Sequence, residues 1–170
     1  MQKIVPHLWF DKEAKEASRF YTSVFGKDSK VISVTTLHDT PSGDVDTVTF
    51  EIWGYKFMAI SAGPLFKFNP SISFMVNFDP SQDHDARKRI DDIWEKLIDE
   101  GEALMPIEKY DFSERYGWVK DKYGVSWQIV PTAMDEMMSK GTPEQLQSVT
   151  EAFLKMKKFD LAELEKAYKG

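Results

Sequence analysis

No cysteine occurs among the 170 residues, which removes disulfides, thiolate nucleophiles and cysteine-ligated metal or iron–sulfur centres together. Histidine is nearly as scarce, with three in the chain, so a metal site here has to be sparse and completed by carboxylates. Positive charge is short as well: 22 Lys and Arg stand against 28 Asp and Glu, for a net charge of −6 and a pI near 5.1. Nucleic acids and anionic membranes are bound through a basic footprint, so neither is expected as a partner. No apolar run is long enough to span a bilayer, and Met1-Gln-Lys-Ile-Val carries no apolar signal region; the expected location is the cytoplasm. What remains is an ordinary globular composition, 42% hydrophobic and 29% charged. The length suits one solid core or two small fused modules.

Lys3 to Phe10 alternates and is rich in β-formers, which predicts a strand. Asp11 reads as the N-cap of a helix ending at Phe25, with Ala14, Ala17, Phe20, Tyr21, Val24 and Phe25 as its apolar stripe and Gly26 as its stop. Strands are predicted at Val31 to Leu37, Asp46 to Trp53 and Lys56 to Ser61, with turns at Pro41-Ser-Gly-Asp and Trp53-Gly-Tyr. The order then recurs. Ser71 to Phe78 is a strand, and Asp85 to Glu100 a helix with Ile90, Ile93, Trp94, Leu97 and Ile98 on one face, closed by Gly101. Glu102 to Ile107, Tyr116 to Lys120 and Val125 to Pro131 are strands, the last two joined by Asp121-Lys-Tyr-Gly. Strand, helix and three strands are thus written twice, with weak residue identity between the halves. Near the C-terminus Thr142-Pro143 is an N-cap with proline at the first helical position, opening a helix that buries Leu146, Val149, Ala152, Phe153 and Met156. Asp160 caps a second helix carrying Leu161, Leu164, Ala167 and Tyr168. The expected fold class is α+β: two βαβββ modules over residues 1–66 and 67–135, and a helical extension over 136–170, in one structural unit.

A four-stranded sheet with a helix on its back has an uncovered front, and two such fronts can curl toward each other around a cleft lined by alternate strand residues. The lining set is His7, Trp9, Ser71, Ser73, Met75 and either Trp127 or Gln128, because a one-residue slip exchanges each set for its neighbours.

Three stretches then resemble a known family: Lys3-Ile-Val-Pro-His-Leu-Trp-Phe, the helix end Phe20-Tyr-Thr-Ser-Val-Phe-Gly, and Tyr116-Gly-Trp-Val-Lys-Asp-Lys-Tyr-Gly-Val-Ser-Trp-Gln-Ile-Val-Pro. Together with the tail from Val149 to Ala167, they resemble the PhnB-like branch of the vicinal oxygen chelate superfamily, which also holds glyoxalase I, bleomycin-resistance proteins and extradiol dioxygenases. The resemblance implies paired βαβββ modules and a homodimer. Members of this branch often carry the description demethylubiquinone methyltransferase. No glycine-rich strand-to-helix turn suited to a nucleotide-type methyl donor is found in this sequence, so that description is read as a name.

Metal-using relatives hold a divalent ion with one ligand from each of four strands, so that the metal polarises a carbonyl while a carboxylate moves the proton. By position, the resemblance carries the first ligand onto His7 and the last onto Gln128; the middle two fall on Ala59, or Ser61 in another register, and on Ser71. Alanine and serine are not ligands for such an ion, and a site needs about three protein ligands; no metal or other cofactor is therefore expected. His7 reads either as a satisfied core residue or as a cavity residue, where its imidazole is the candidate proton donor and acceptor. Trp9, Ser71, Ser73, Trp118 and Gln128 are the candidate binding residues, aromatic faces supplying area and Ser and Gln the hydrogen bonds. Phe66-Lys-Phe-Asn-Pro is a candidate flap, and Asp111 or Glu114 a candidate general base. His38 and His84 read as surface residues. The expected function is binding of a small apolar or aromatic molecule in an inter-module pocket by a homodimer. The alternatives are a metal-dependent lyase, isomerase or dioxygenase using His7, Gln128 and a carboxylate such as Glu51, and a non-catalytic dimer whose pocket is filled by its own side chains.

Overall fold

β1 (His7–Phe10) alternates as a half-buried strand must: Leu8 and Phe10 are buried, His7 is exposed and Trp9 half-buried. The computed structural model describes residues 2–79, 85–110, 113–131, 141–155 and 161–169. They divide into two units, residues 1–71 with 121–125, and residues 72–120 with 126–170.

In the first unit β1 is followed by α1 (Ala14–Phe25), β2 (Lys30–Thr40), β3 (Gly43–Ile52) and β4 (Tyr55–Ser61). The sheet order is β1-β4-β3-β2, with β1 parallel to β4 and the other pairs antiparallel. α1 buries Ala14, Ala17, Ser18, Tyr21, Val24 and Phe25 on the sheet face that carries Leu8, Phe10, Val48, Phe50, Ile52, Phe57 and Ala59. Phe20, expected in that stripe, is only half-buried. Asp11 does not cap α1. The N-cap residue is Glu13, without a side-chain cap bond, and the free Ala14 N–H donates instead to Ser61 Oγ on β4 at 3.0 Å. A donor that the sequence assigns to a local cap is thus satisfied from a strand 47 residues away. At the other end Gly26 takes positive φ and donates to the Thr22 carbonyl. The β3–β4 turn places Trp53 and Gly54 at φ 48° and 80°, the left-handed pair that a two-residue hairpin requires. Trp53 is held there by its indole N–H on the Phe25 carbonyl at 3.0 Å.

Residues 121–125 complete this unit. Asp121 is buried, and its Oδ1 accepts the Tyr123 and Val125 N–H groups at 2.9 and 3.0 Å. Gly124 N–H returns to the Asp121 carbonyl at 2.8 Å, closing the turn expected from Asp121-Lys-Tyr-Gly. The turn projects the Tyr123 ring against Phe10, Phe20 and Tyr21, with centroids 5.6–6.1 Å away. Its hydroxyl donates to Glu16 on α1 at 2.6 Å.

The second unit repeats the order with β5 (Phe74–Phe78), α2 (Ala86–Ile98), β6 (Glu102–Tyr110), β7 (Ser113–Lys120) and β8 (Ser126–Pro131). Its sheet order is β5-β8-β7-β6, again with the first pair parallel. α2 buries Ala86, Ile90, Ile93, Trp94 and Leu97, and Val76, Phe78, Val119, Trp127 and Ile129 are buried on the alternate positions of the strands that face it. Gly117 on β7 lies flat under Trp94: an added Cβ would stand 2.6 Å from the indole Cζ3, so only glycine lets the ring down onto the strand. Several element boundaries differ from expectation. The strand starts at Phe74 and leaves Ser71 in the preceding segment, where Asn69 ties it locally. After α2 the left-handed residue is Glu100, at φ 58°, rather than Gly101.

α3 (Pro143–Lys155) and α4 (Leu161–Lys169) end the chain. The Thr142–Gln145 pair forms a reciprocal capping box, Thr142 N–H to Gln145 Oε1 at 2.9 Å and Gln145 N–H to Thr142 Oγ1 at 3.3 Å. Val149 and Leu164 are buried. Asp160 and Met156 lie outside the described residues, as do the side chains of Ala152, Phe153 and Leu161. The α+β class, the two βαβββ repeats and the helical extension are as the sequence implies. Among the described residues no helix is long and apolar enough to cross a membrane.

Candidate functional site

Each helix covers one face of its sheet, and strand alternation leaves the other face to a distinct set of side chains. In the first unit cross-strand pairing builds two rows on the helix-free face. One runs His7, Met58, Thr49, Ser33 and the other Trp9, Ile60, Thr47, Thr35. The Trp9 indole N–H donates to the Gly63 carbonyl at 2.8 Å, and the Phe66 ring stands edge-on to Trp9 at 5.0 Å. Phe66 itself is 60% exposed.

In the second unit Gln128 on β8 sits between Met75 on β5 and Trp118 on β7. The Tyr116 hydroxyl donates to Gln128 Oε1 at 2.8 Å. Gln128 Nε2 donates to Ser73 Oγ at 2.5 Å. Trp118 donates its indole N–H to Ser126 Oγ at 2.7 Å. Burial pushes the Tyr116 phenol pKa up, and neighbouring Tyr110 adds to the shift; the Tyr110 ring is edge-on at 5.8 Å. Tyr116 therefore stays a neutral donor at physiological pH.

These placements separate the expected site residues. His7 and Trp9 share a face in the first unit, while Ser73, Trp118 and Gln128 share one in the second. The register choice falls on Gln128, because Trp127 is 2% exposed on the helix side. Ser71 is exposed, precedes β5 and bonds to Asn69 in the first unit. Tyr116 was not among the candidates, although its i, i+2 spacing from Trp118 puts the two on the same face. His38 is on the surface as expected, paired with Asp44 at 2.8 Å. Asp111 and His84 lie outside the described residues, as does the Glu114 side chain.

The ligand positions carried over from metal-using relatives hold one imidazole at His7, one amide at Gln128, alanine or serine at Ala59 or Ser61, and Ser71. Ala59 is fully buried on the helix side of β4. Ser61 has the same parity and is spent on the Ala14 N–H. The direct cross-strand neighbour of His7 is Met58. Glu51 pairs across the strands with Lys56 and Lys30, the Lys30 ammonium lying 3.8 Å from its carboxylate. Gln128 is an amide engaged at both ends, flanked by Met75 and Trp118. Among the described residues no three His, Asp or Glu side chains are grouped to hold an ion. One imidazole and one amide, each beside a thioether or an indole, do not fit a tightly held divalent cation.

The family profile described as 3-demethylubiquinone-9 3-methyltransferase matches residues 2–130. The PhnB protein of Bacillus cereus, which carries the same description, is 35% identical, with 76% of this chain aligned to 99% of that one at a TM-score of 0.66. The chain belongs to this family. It is a member of the PhnB-like branch of the vicinal oxygen chelate superfamily. Two more distant folds agree with this placement. A genomically encoded fosfomycin resistance protein from Listeria monocytogenes aligns at 10% identity and TM-score 0.52, over 77% of this chain and 93% of its own. A glyoxylase/bleomycin resistance protein/dioxygenase domain from Frankia sp. EAN1pec aligns at 12% identity and TM-score 0.51, over 77% and 92%. At these identities they share the fold alone with the PhnB-like chain. Among curated proteins none matches it.

Proposed function

We propose that this PhnB-like protein binds a small apolar or aromatic molecule on the helix-free surface of its sheets, without a resident divalent metal. The observation that carries the reading is the state of Gln128. Where metal-using relatives place their last ligand, this chain has an amide tied to Tyr116 and Ser73 and bordered by Met75 and Trp118. Such a surface offers ring faces and a thioether for area and a few fixed polar groups for orientation. His7 and Trp9 present an equivalent mixture in the first unit, and any proton transfer falls to the exposed His7 imidazole. The methyltransferase of the family description is taken as a name. The β1–α1 connection, Asp11-Lys12-Glu13, has no glycine and two carboxylates, which is the wrong chemistry for a nucleotide-type donor at a helix N-terminus. A cytoplasmic setting without nucleic-acid or anionic-membrane partners is what the acidic, cysteine-free composition favours, and family membership favours a homodimer.

Calorimetric titration with a panel of mono- and bicyclic aromatic compounds tests this. At least one compound binds saturably, and Trp118→Ala or His7→Ala weakens it about tenfold or more, the loss of one well-packed contact. The melting temperature of each variant is checked alongside. No saturable binding across the panel, or binding untouched by both substitutions, overturns the reading.

A further inference from the structure

Two aromatic rings of the first unit meet at its surface. The Trp9 and Phe66 centroids are 5.0 Å apart with their planes at 84°; Phe66 is 60% exposed and Trp9 half-buried. Both rings are held in place. The Trp9 indole N–H is fixed on the Gly63 carbonyl at 2.8 Å. The Ala62 and Gly63 N–H groups donate to the Phe10 and Asp11 carbonyls, each at 3.0 Å, which carries the β1–β4 pairing into the start of the segment. At its other end the Phe68 ring packs against Phe10 at 5.1 Å. The candidate flap is therefore a strap tied at both ends, with Pro64, Leu65, Phe66 and Lys67 exposed between them. The strand row of Trp9 and the adjacent row of His7 hold no carboxylate, lysine or arginine, so a ring seated beside Trp9 desolvates no charge there.

Perpendicular rings make a corner that a flat ligand can use in two ways at once. A third ring can lie parallel to the ring that stands on the other, and point its own edge at that other ring's face. These are the two arrangements aromatic pairs prefer, and they contribute beyond the area they bury. A saturated ring of the same size covers the area and gains neither. Because the strap and the indole bond already place the corner, little ordering is left for binding to supply. Resting on the binding reading above, we propose that Trp9 and Phe66 form the seat of a planar aromatic ring, and that Phe66 is the residue that selects aromatic over saturated ligands.

Two probes with the same skeleton and the same hydroxyl separate this from apolar binding in general: 2-naphthol and its saturated counterpart, decahydro-2-naphthol. Titrated into the full chain at neutral pH, the aromatic probe binds about fivefold or more tightly, the worth of two ring contacts beyond area. Phe66→Leu keeps apolar area but has no ring. It cuts that ratio about threefold or more and leaves the saturated probe's affinity within about twofold. Trp118→Ala, in the second unit, leaves the ratio unchanged. Each variant is titrated well below its own melting temperature, so that folded protein is compared throughout. Equal binding of the two probes, or a ratio that survives Phe66→Leu, overturns the aromatic seat and leaves small-molecule binding standing. A ratio lost in Trp118→Ala alone overturns it as well, by moving the ring to the other unit. If neither probe binds saturably the seat is overturned, and the panel of aromatic compounds decides whether the binding reading falls with it.

Discussion

Asp121→Ala is expected to lower the unfolding free energy by about 2–4 kcal/mol, because two donors are left facing an apolar space, at about 1–3 kcal/mol each and partly relieved by relaxation. They are the backbone N–H groups of Tyr123 and Val125. Loss of the turn also withdraws the Tyr123 ring from Phe10, Phe20 and Tyr21. Urea denaturation checks it through a lower midpoint at unchanged slope. Asp121→Asn keeps an oxygen for the backbone donors and is expected to cost less than half as much.

The same cluster sets an alkaline limit. Burial, and then the charge of Asp121, hold the Tyr21 phenol neutral well above its ordinary range. The unfolded chain ionises this phenol near pH 10, so the folded state binds more protons from there upward. Stability is unaffected below about pH 10 and then falls by up to about 1.4 kcal/mol per pH unit for this group. Tyr116, shifted in the same direction by burial and by Tyr110, adds a weaker dependence. Tyr21→Phe costs stability at neutral pH but removes most of the alkaline slope, read from midpoints between pH 8 and pH 11. An unchanged slope contradicts the assignment.

The second large effect lies in the other unit. Gly117→Ala is expected to destabilise by about 1–3 kcal/mol, the usual cost of forcing a methyl into a packed interior. This outweighs the few tenths to 1 kcal/mol that alanine gains over glycine by restricting the unfolded chain. The new methyl would meet Trp94 at 2.6 and 3.0 Å and Ile107 Cβ at 3.0 Å, so neither side can yield without moving a strand or a helix. A double-mutant cycle with Trp94→Leu isolates the clash: in the leucine background the alanine costs little, and the coupling exceeds about 1 kcal/mol. Additive effects would place the strain elsewhere.

Sequence periodicity located every strand and helix of the two repeats, because Leu8/Phe10, Val48/Phe50/Ile52 and Ile90/Ile93/Trp94/Leu97 are long, unambiguous stripes. It failed at three element ends. Asp11 has the right chemistry for an N-cap, but Ser61 takes that role on a neighbouring strand. Ser71 continues the β-prone pattern of β5, but Asn69 engages it locally. Glu100 takes a left-handed turn although glycine follows it. The faces were harder than the elements. Trp127 and Gln128 are adjacent, and composition does not say which turns toward the helix. Pairing with Phe74 and Met75 decides it. Ala59, a position carried over from the resemblance, turns to the helix side, and it is Met58 that lies beside His7. Tyr116 was legible from its spacing to Trp118; its bond to Gln128 was not, because that depends on the stagger of β7 against β8.

The claim on which the account turns is that this PhnB-like chain works without a divalent ion. Elemental analysis of tag-free protein, soaked in Zn²⁺, Ni²⁺, Mn²⁺ or Fe²⁺ and dialysed without chelator, tests it most directly. The account predicts a content far below one ion per chain, unaltered by His7→Ala. About one ion per chain, lost in His7→Ala, would contradict it, since a bound ion needs about three protein ligands and the structure groups no such set among the described residues.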